Sequence, residues 1–204
     1  MLTVRSRPQG GFTLIEMMVG LALLAFILML GLPSFGTFLQ NQKLRDAGAV
    51  TLAAVQFARG EAIRLNSNVQ FVMSDDVPNL GNFAAMLPNT TGRNFLVRGN
   101  VYDPATGQDN LTLLTMKSGV EGSGTTQEST AGVALSATTG LVTFTPLGGT
   151  TNAADEVIEI SNPSGGTCKA SGGTMRCMNV VVLRSGQVRM CDPAVTTSGD
   201  TRRC

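Results

Sequence analysis

Two periodicities divide the chain. Residues 12–32 form an apolar run in which Glu16 is the only charge. At the helical rise this run spans roughly 31 Å, about the hydrocarbon thickness of a bilayer. Further on, Leu44, Ala47, Thr51, Val55, Ala58, Ala62 and Leu65 recur at steps of three or four residues, as one face of a helix requires. The members of this stripe are mostly small, which lets another element approach closely. Lys43, Arg45, Asp46, Arg59, Glu61 and Arg64 lie off it. The pattern predicts one helix over residues 12–66, continuing past Pro33 and ending at Asn66-Ser67-Asn68.

Beyond residue 66 the period shortens to that of strands. Residues 69–73 alternate, and 95–98, 111–116, 133–135, 141–144 and 157–160 are further short apolar stretches between Gly, Pro and Asn turns. Residues 75–92 and 119–132 read as polar loops. The clearest hairpin joins 180–183 to 187–190 through Arg184-Ser185-Gly186. The expected fold class is α+β: a long N-terminal helix, with its outer half packed on an antiparallel β-sheet head.

Composition sharpens this picture. Charged residues make up only 14% of the chain, and Gly, Thr, Ser and Asn are plentiful, which favours a β-rich head. Residues 12–165 hold 7 Lys/Arg and 12 Asp/Glu, net −5, whereas 166–204 hold 6 and 2, net +4. The basic C-terminal end therefore fits an acidic partner. All four cysteines, Cys168, Cys177, Cys191 and Cys204, lie in that end. An even, clustered set reads as disulfides if this part of the chain lies in an oxidising compartment. Three pairings are open, of which Cys168–Cys177 with Cys191–Cys204 is favoured. A zinc site is the alternative, but there is no His and no Cys-x-x-Cys spacing.

Catalytic chemistry finds few carriers. Without His there is no Ser-His-Asp or Cys-His arrangement and no His-Glu-x-x-His zinc site. Gly148-Gly149, Gly165-Gly166 and Gly172-Gly173 lack the Lys-Ser/Thr of a phosphate loop and read as turns. Asp75-Asp76 and Asp155-Glu156 offer too few ligands for calcium and read as solvated loop charge. The expectation is a chain without an active site, cofactor or metal.

The start of the chain carries the sharpest motif. Arg5 and Arg7 precede Gly10-Gly11, then Phe12-Thr13-Leu14-Ile15-Glu16 opens the apolar run. A secretory signal places its cleavage site after the apolar core; here the plausible point, Gly11, lies before it. Glu16 in a membrane helix costs roughly 2.5–3.5 kcal/mol on insertion scales, so a cationic partner is expected. These residues resemble the type IV pilins and type II secretion pseudopilins, most closely over residues 10–65. The resemblance implies a pilin fold, cleavage by a prepilin peptidase between Gly11 and Phe12, and N-methylation of Phe12. It also implies assembly through Glu16 and the freed amine of Phe12, in the same chain or a neighbouring one. Four segments follow: a leader 1–11, a transmembrane helix half 12–33, an amphipathic half 34–66, and a head 67–204 whose C-terminal region is disulfide-linked.

The order of helix, strands and final hairpin, with Phe57-Ala58-Arg59-Gly60-Glu61-Ala62, resembles the FimT/FimU and GspH branch of minor pilins and pseudopilins. That implies a minor subunit that is incorporated into or primes a type IV pilus, serving twitching or adhesion. The alternative is a minor pseudopilin of type II secretion contacting secreted proteins. Implied partners are other pilins or pseudopilins, the prepilin peptidase and the bacterial inner membrane. The head would be periplasmic before reaching the cell surface. Some FimT-group members bind double-stranded DNA in natural transformation through a Gly-Arg-x-Arg motif. Here Gly186-Gln187-Val188-Arg189 keeps only the second arginine. Lys169, Arg176, Arg184, Arg202 and Arg203 are the other candidate DNA-contacting cations, and binding through them would be sequence-independent and salt-sensitive.

Overall fold

A single helix, α1 (Leu14–Leu65), opens the described part of the computed structural model, which covers residues 11, 13–117 and 133–204. The predicted loop 119–132 lies outside those residues. The chain divides into a unit ending at Phe38 and a second unit, Leu39–Cys204. In the first, the large apolar side chains described over 14–29 are all bare, from 54% exposed at Val19 to 79% at Leu14. Among the described residues no helix is long and apolar enough to cross a membrane; the expected span 12–33 is described only in part.

In the second unit the helix face is the predicted one. Leu44, Ala47, Thr51, Val55, Ala58 and Ala62 are fully buried, and Leu65 is half-buried against the same core. Ala54 joins them, and Thr51 satisfies its hydroxyl by donating to the Ala47 carbonyl at 2.9 Å. Small side chains bring helix and sheet close: a Cβ on Gly48 would stand 2.8 Å from the Met190 sulfur. The helix stops one residue before the predicted Asn66. That residue adopts φ 49°, Ser67 N donates to the Ala62 carbonyl and Asn66 N to that of Ile63, the pattern of a left-handed C-terminal cap.

The head holds two antiparallel sheets rather than one. The first has the order β4-β3-β1-β6, from β1 (Val69–Ser74), β3 (Asn94–Asp103), β4 (Gln108–Lys117) and β6 (Leu141–Phe144). The second has the order β2-β5-β7-β8-β9, from β2 (Thr91–Gly92), β5 (Ala134–Ala137), β7 (Glu156–Ser161), β8 (Met178–Val182) and β9 (Val188–Cys191). Strand β2 falls at the end of what the sequence presents as a loop. It has only two residues, too few for alternation to register.

Alternation assigns the faces. Phe71 and Met73 of β1, Phe95 and Val97 of β3, Ile158 and Ile160 of β7, and Val180 and Val182 of β8 share one core with the helix stripe. Each fully buried apolar side chain of this size contributes roughly 1.5–3 kcal/mol. Val72 and Leu96 face the other way, under Met86 and Phe83 of the 75–90 loop. Arg98 holds that loop: its Nη1 donates to the Phe83 and Ala84 carbonyls at 2.7 and 2.9 Å, and its Nε to Gln70.

Glu156 overturns its reading as solvated loop charge. It starts β7 in register with Ile158 and Ile160, so its side chain points inward and is 2% exposed. Oε1 accepts from the backbone N–H groups of Thr139 and Gly140 at 2.8 and 2.9 Å, and Oε2 from the Thr139 hydroxyl at 2.8 Å. The carboxylate thus pins the turn where the chain leaves the second sheet for the first. Gly140 is required in that turn: its φ is +72°, and a Cβ would lie 2.1 Å from the Asn89 carbonyl oxygen.

The C-terminal tail straps the outer edge of β9. Cys191 bonds Cys204, Asp192 N donates to the Arg202 carbonyl at 2.7 Å, and Asp192 bridges Arg203 in parallel. Cys168 bonds Cys177 across a separate loop, so the structure adopts the favoured pairing. Each crosslink contributes on the order of 2–4 kcal/mol by shrinking the unfolded ensemble. In the strap, hydrogen bonds from the Arg202 side chain hold the Asp200 carboxyl down at about 2, against an ordinary 3.8.

Two outcomes follow from these contacts. Urea unfolding of Glu156→Ala is expected to show a loss of about 1–3 kcal/mol, because three donors lose their acceptor. Removing Glu159, exposed on the same strand, is expected to change stability by less than about 0.5 kcal/mol. The Asp200 carboxyl is depressed on folding, so its contribution is complete above the ordinary value and fades as pH falls through about 2. An NMR titration should place its midpoint there, and Arg202→Gln should return it to the usual carboxylate range.

Candidate functional site

The helix start combines chemistry with local structure. Thr13 precedes the first helical residue, and Glu16 is the third residue of the helix. The Glu16 N–H donates to the Thr13 hydroxyl at 3.3 Å. In return, the Thr13 N–H and hydroxyl both donate to Glu16 Oε2 at 3.4 Å. This reciprocal arrangement is a capping box, read from Thr-x-x-Glu, and it satisfies N–H groups that the first helical turn leaves open. Sequence reasoning that weighed Glu16 only as a charge in an apolar run missed this role, although the spacing announces it. A carboxylate here also meets the positive end of the helix dipole. The bonds are long and Oε1 takes no part in them, so the group retains capacity for a cation. Gly11 is described and exposed; Phe12, the expected cleavage and methylation residue, lies outside the described residues.

The second candidate region is the basic C-terminal end. Arg184 is exposed at the β8–β9 turn, where its main chain is fixed by Asp155 Oδ1 at 2.9 Å and Thr150 N at 3.0 Å. Arg189 is half-buried on β9. Its guanidinium donates to the carbonyls of Arg203 at 2.9 Å and Cys204 at 3.3 Å. Pinning of the tail thus brings Arg203 to Arg189 as a backbone acceptor that engages the arginine. Arg202 pairs with Asp200 at 2.7 Å, and Arg203 is exposed. Lys169 and Arg176 belong to the Cys168–Cys177 loop; Lys169 is exposed, and the half-buried Arg176 donates its backbone N–H to Asn41 of α1 at 2.8 Å. Asn162 likewise donates its side-chain amide to Gln40. These last two bonds fasten the beginning of the packed helix segment to the head.

A third feature was not read as a site in the sequence, although Arg59 and Gly60 lie in the segment 57–62 that carries the family resemblance. Arg59, on the flank of α1, donates from Nε to the Gly148 carbonyl at 3.0 Å. Beside it lies a cleft of about 410 Å³ lined by Gln56, Arg59, Gly60, Ile63, Gln187 and Val188.

Comparison with known proteins places these features. Residues 50–186 match the family model of the type II transport protein GspH, and residues 6–32 match the prokaryotic N-terminal methylation motif. No curated protein matches the chain. Among solved structures, a crystal structure of the type IV minor pilin FimU of Pseudomonas aeruginosa aligns with TM-score 0.48 and 16% identity, covering 75% of this chain and 91% of that one. The same pilin in a second crystal form gives 0.45, with 16% identity over 72% and 91%. The solution structure of E. coli GspH gives 0.41, with 14% identity over 79% of this chain and 93% of that one. Because the family model spans well over half of its length, this chain belongs to the family of the type II transport protein GspH.

Proposed function

We propose that the chain is a minor pilin-type subunit that is built into, or primes, a filament anchored in the bacterial inner membrane. The observation that carries this reading is the bare apolar face of residues 14–29 inside a matched N-terminal methylation motif. So large a continuous apolar surface needs lipid or the helices of neighbouring subunits to cover it. In this reading the prepilin peptidase removes 1–11 and Phe12 becomes the methylated N-terminus. Residues 12–33 hold the subunit in the inner membrane, with the head outside the cytoplasm. Glu16 caps its own helix through Thr13 and meets the Phe12 amine of an adjacent subunit as its cation.

Two kinds of filament use such a subunit. The description of the matched family as a type II transport protein favours the secretion filament over a twitching or adhesive pilus. DNA contact through the C-terminal cations has less support, since Arg189 and Arg202 already have partners within the chain.

Mass and N-terminal sequence of the protein recovered from membranes should give Phe12 first, with one added methyl. Two substitutions separate the roles of Glu16. Glu16→Gln keeps a side chain able to complete the cap but removes the charge, whereas Glu16→Ala removes both. Both are expected to block incorporation into filaments; normal incorporation of the Gln variant would leave capping as the only role of Glu16. A deletion strain is expected to lose release of secreted proteins. Intact release with loss of twitching or transformation would assign the subunit to a pilus instead.

A further inference from the structure

The Arg59 cleft is unusual in what it leaves unspent. The Arg59 side chain is half-buried and anchored through Nε, yet among the described residues neither Nη has a hydrogen-bond partner. Gly60, next to it, sits in the interior of α1, where glycine costs about 1 kcal/mol relative to alanine. Among the described residues nothing demands that glycine: its φ is not positive, and a Cβ there would meet no atom within 4 Å. The missing side chain keeps the cleft open. Gln56 and Gln187 offer side-chain amides, while Ile63 and Val188 supply apolar wall. Leu147, 95% exposed, stands on the same turn as Gly148 at the cleft's margin.

An oriented guanidinium, two amides and an apolar wall together suit a carboxylate carried beside an apolar group. We infer that the cleft receives an acidic side chain, flanked by an apolar one, from the adjacent subunit of the filament. This rests on the filament reading above. Charge complementarity points the same way, and this chain itself carries carboxylates beside an exposed apolar ring. On this chain, Asp103 and Asp109 mark the β3–β4 ribbon end beside Tyr102, which is 63% exposed. Partial burial of Arg59 strengthens its pairing with an incoming carboxylate, and Ile63 and Val188 offer contact to the apolar group beside it.

The test uses the full-length chain in its own membrane, with a benzophenone amino acid in place of Leu147, or in place of Leu24 as a reporter of helix packing. The Leu147 probe is expected to give an adduct with another subunit carrying the N-terminal methylation motif, mapping to a segment that contains Asp or Glu. Arg59→Gln and, separately, Gly60→Leu should each reduce that adduct about tenfold or more. Gly60→Leu fills the cleft from open space and should not lower the melting temperature, so its effect is separable from misfolding. The inference is overturned if Leu24 crosslinks while Leu147 does not, if the adduct survives both substitutions, or if it maps to a segment without a carboxylate. Absence of adducts from both probes would remove the filament reading, and this inference with it.

Discussion

The head is organised by a narrow face of small side chains on one helix. Ala47, Gly48, Thr51, Ala54, Val55, Ala58 and Ala62 leave so little bulk that strands of both sheets reach the helix surface and share a single core with it. Packing there is short-range, and its energy falls off within an ångström of lost contact. A bulkier face would hold the sheets away and open voids that neither sheet could fill. The Gln40–Asn162 and Asn41–Arg176 hydrogen bonds then fix where along the helix the head begins. Upstream of that point the same helix carries bare apolar side chains. One sequence element therefore serves two solvents, a protein core for its later turns and, in the proposed reading, lipid or neighbouring helices for its earlier ones.

Much of this was legible because periodicity is local. The stripe from Leu44 to Leu65 repeats often enough to identify a face, and β6 falls on the predicted 141–144. The final hairpin was announced by Ser185-Gly186 between two apolar runs, and of the three open cysteine pairings the favoured one is that which the structure adopts. What local pattern does not contain is partner choice. β1 pairs with β3 on one side and with β6, some seventy residues on, on the other. No spacing signal specifies that, so one expected sheet became two.

Glu156 and Glu16 show a second kind of miss. Both were judged by charge alone. Glu156 follows Asp155 and was grouped with it, although its parity with Ile158 and Ile160 places it on the inward face. Its desolvation is offset by three donors from a single turn, a cost recovered only once the two sheets are assembled. Glu16 was weighed against the membrane while its partner three residues earlier went unread. Of the candidate cations, Arg189 is taken up in holding the tail because the Cys191–Cys204 bond delivers carbonyls to it. Fixing a backbone strap and greeting a phosphate compete for the same donors.

The most direct measurement of this account is native-state hydrogen exchange, resolved along the chain. If the small-residue face is the centre of the head, amides of residues 44–62 should exchange only by global unfolding, together with those of β1 and β8. Exchange of 44–62 much faster than those strands, with the sheets still protected, would mean that the head stands without the helix and would contradict the account.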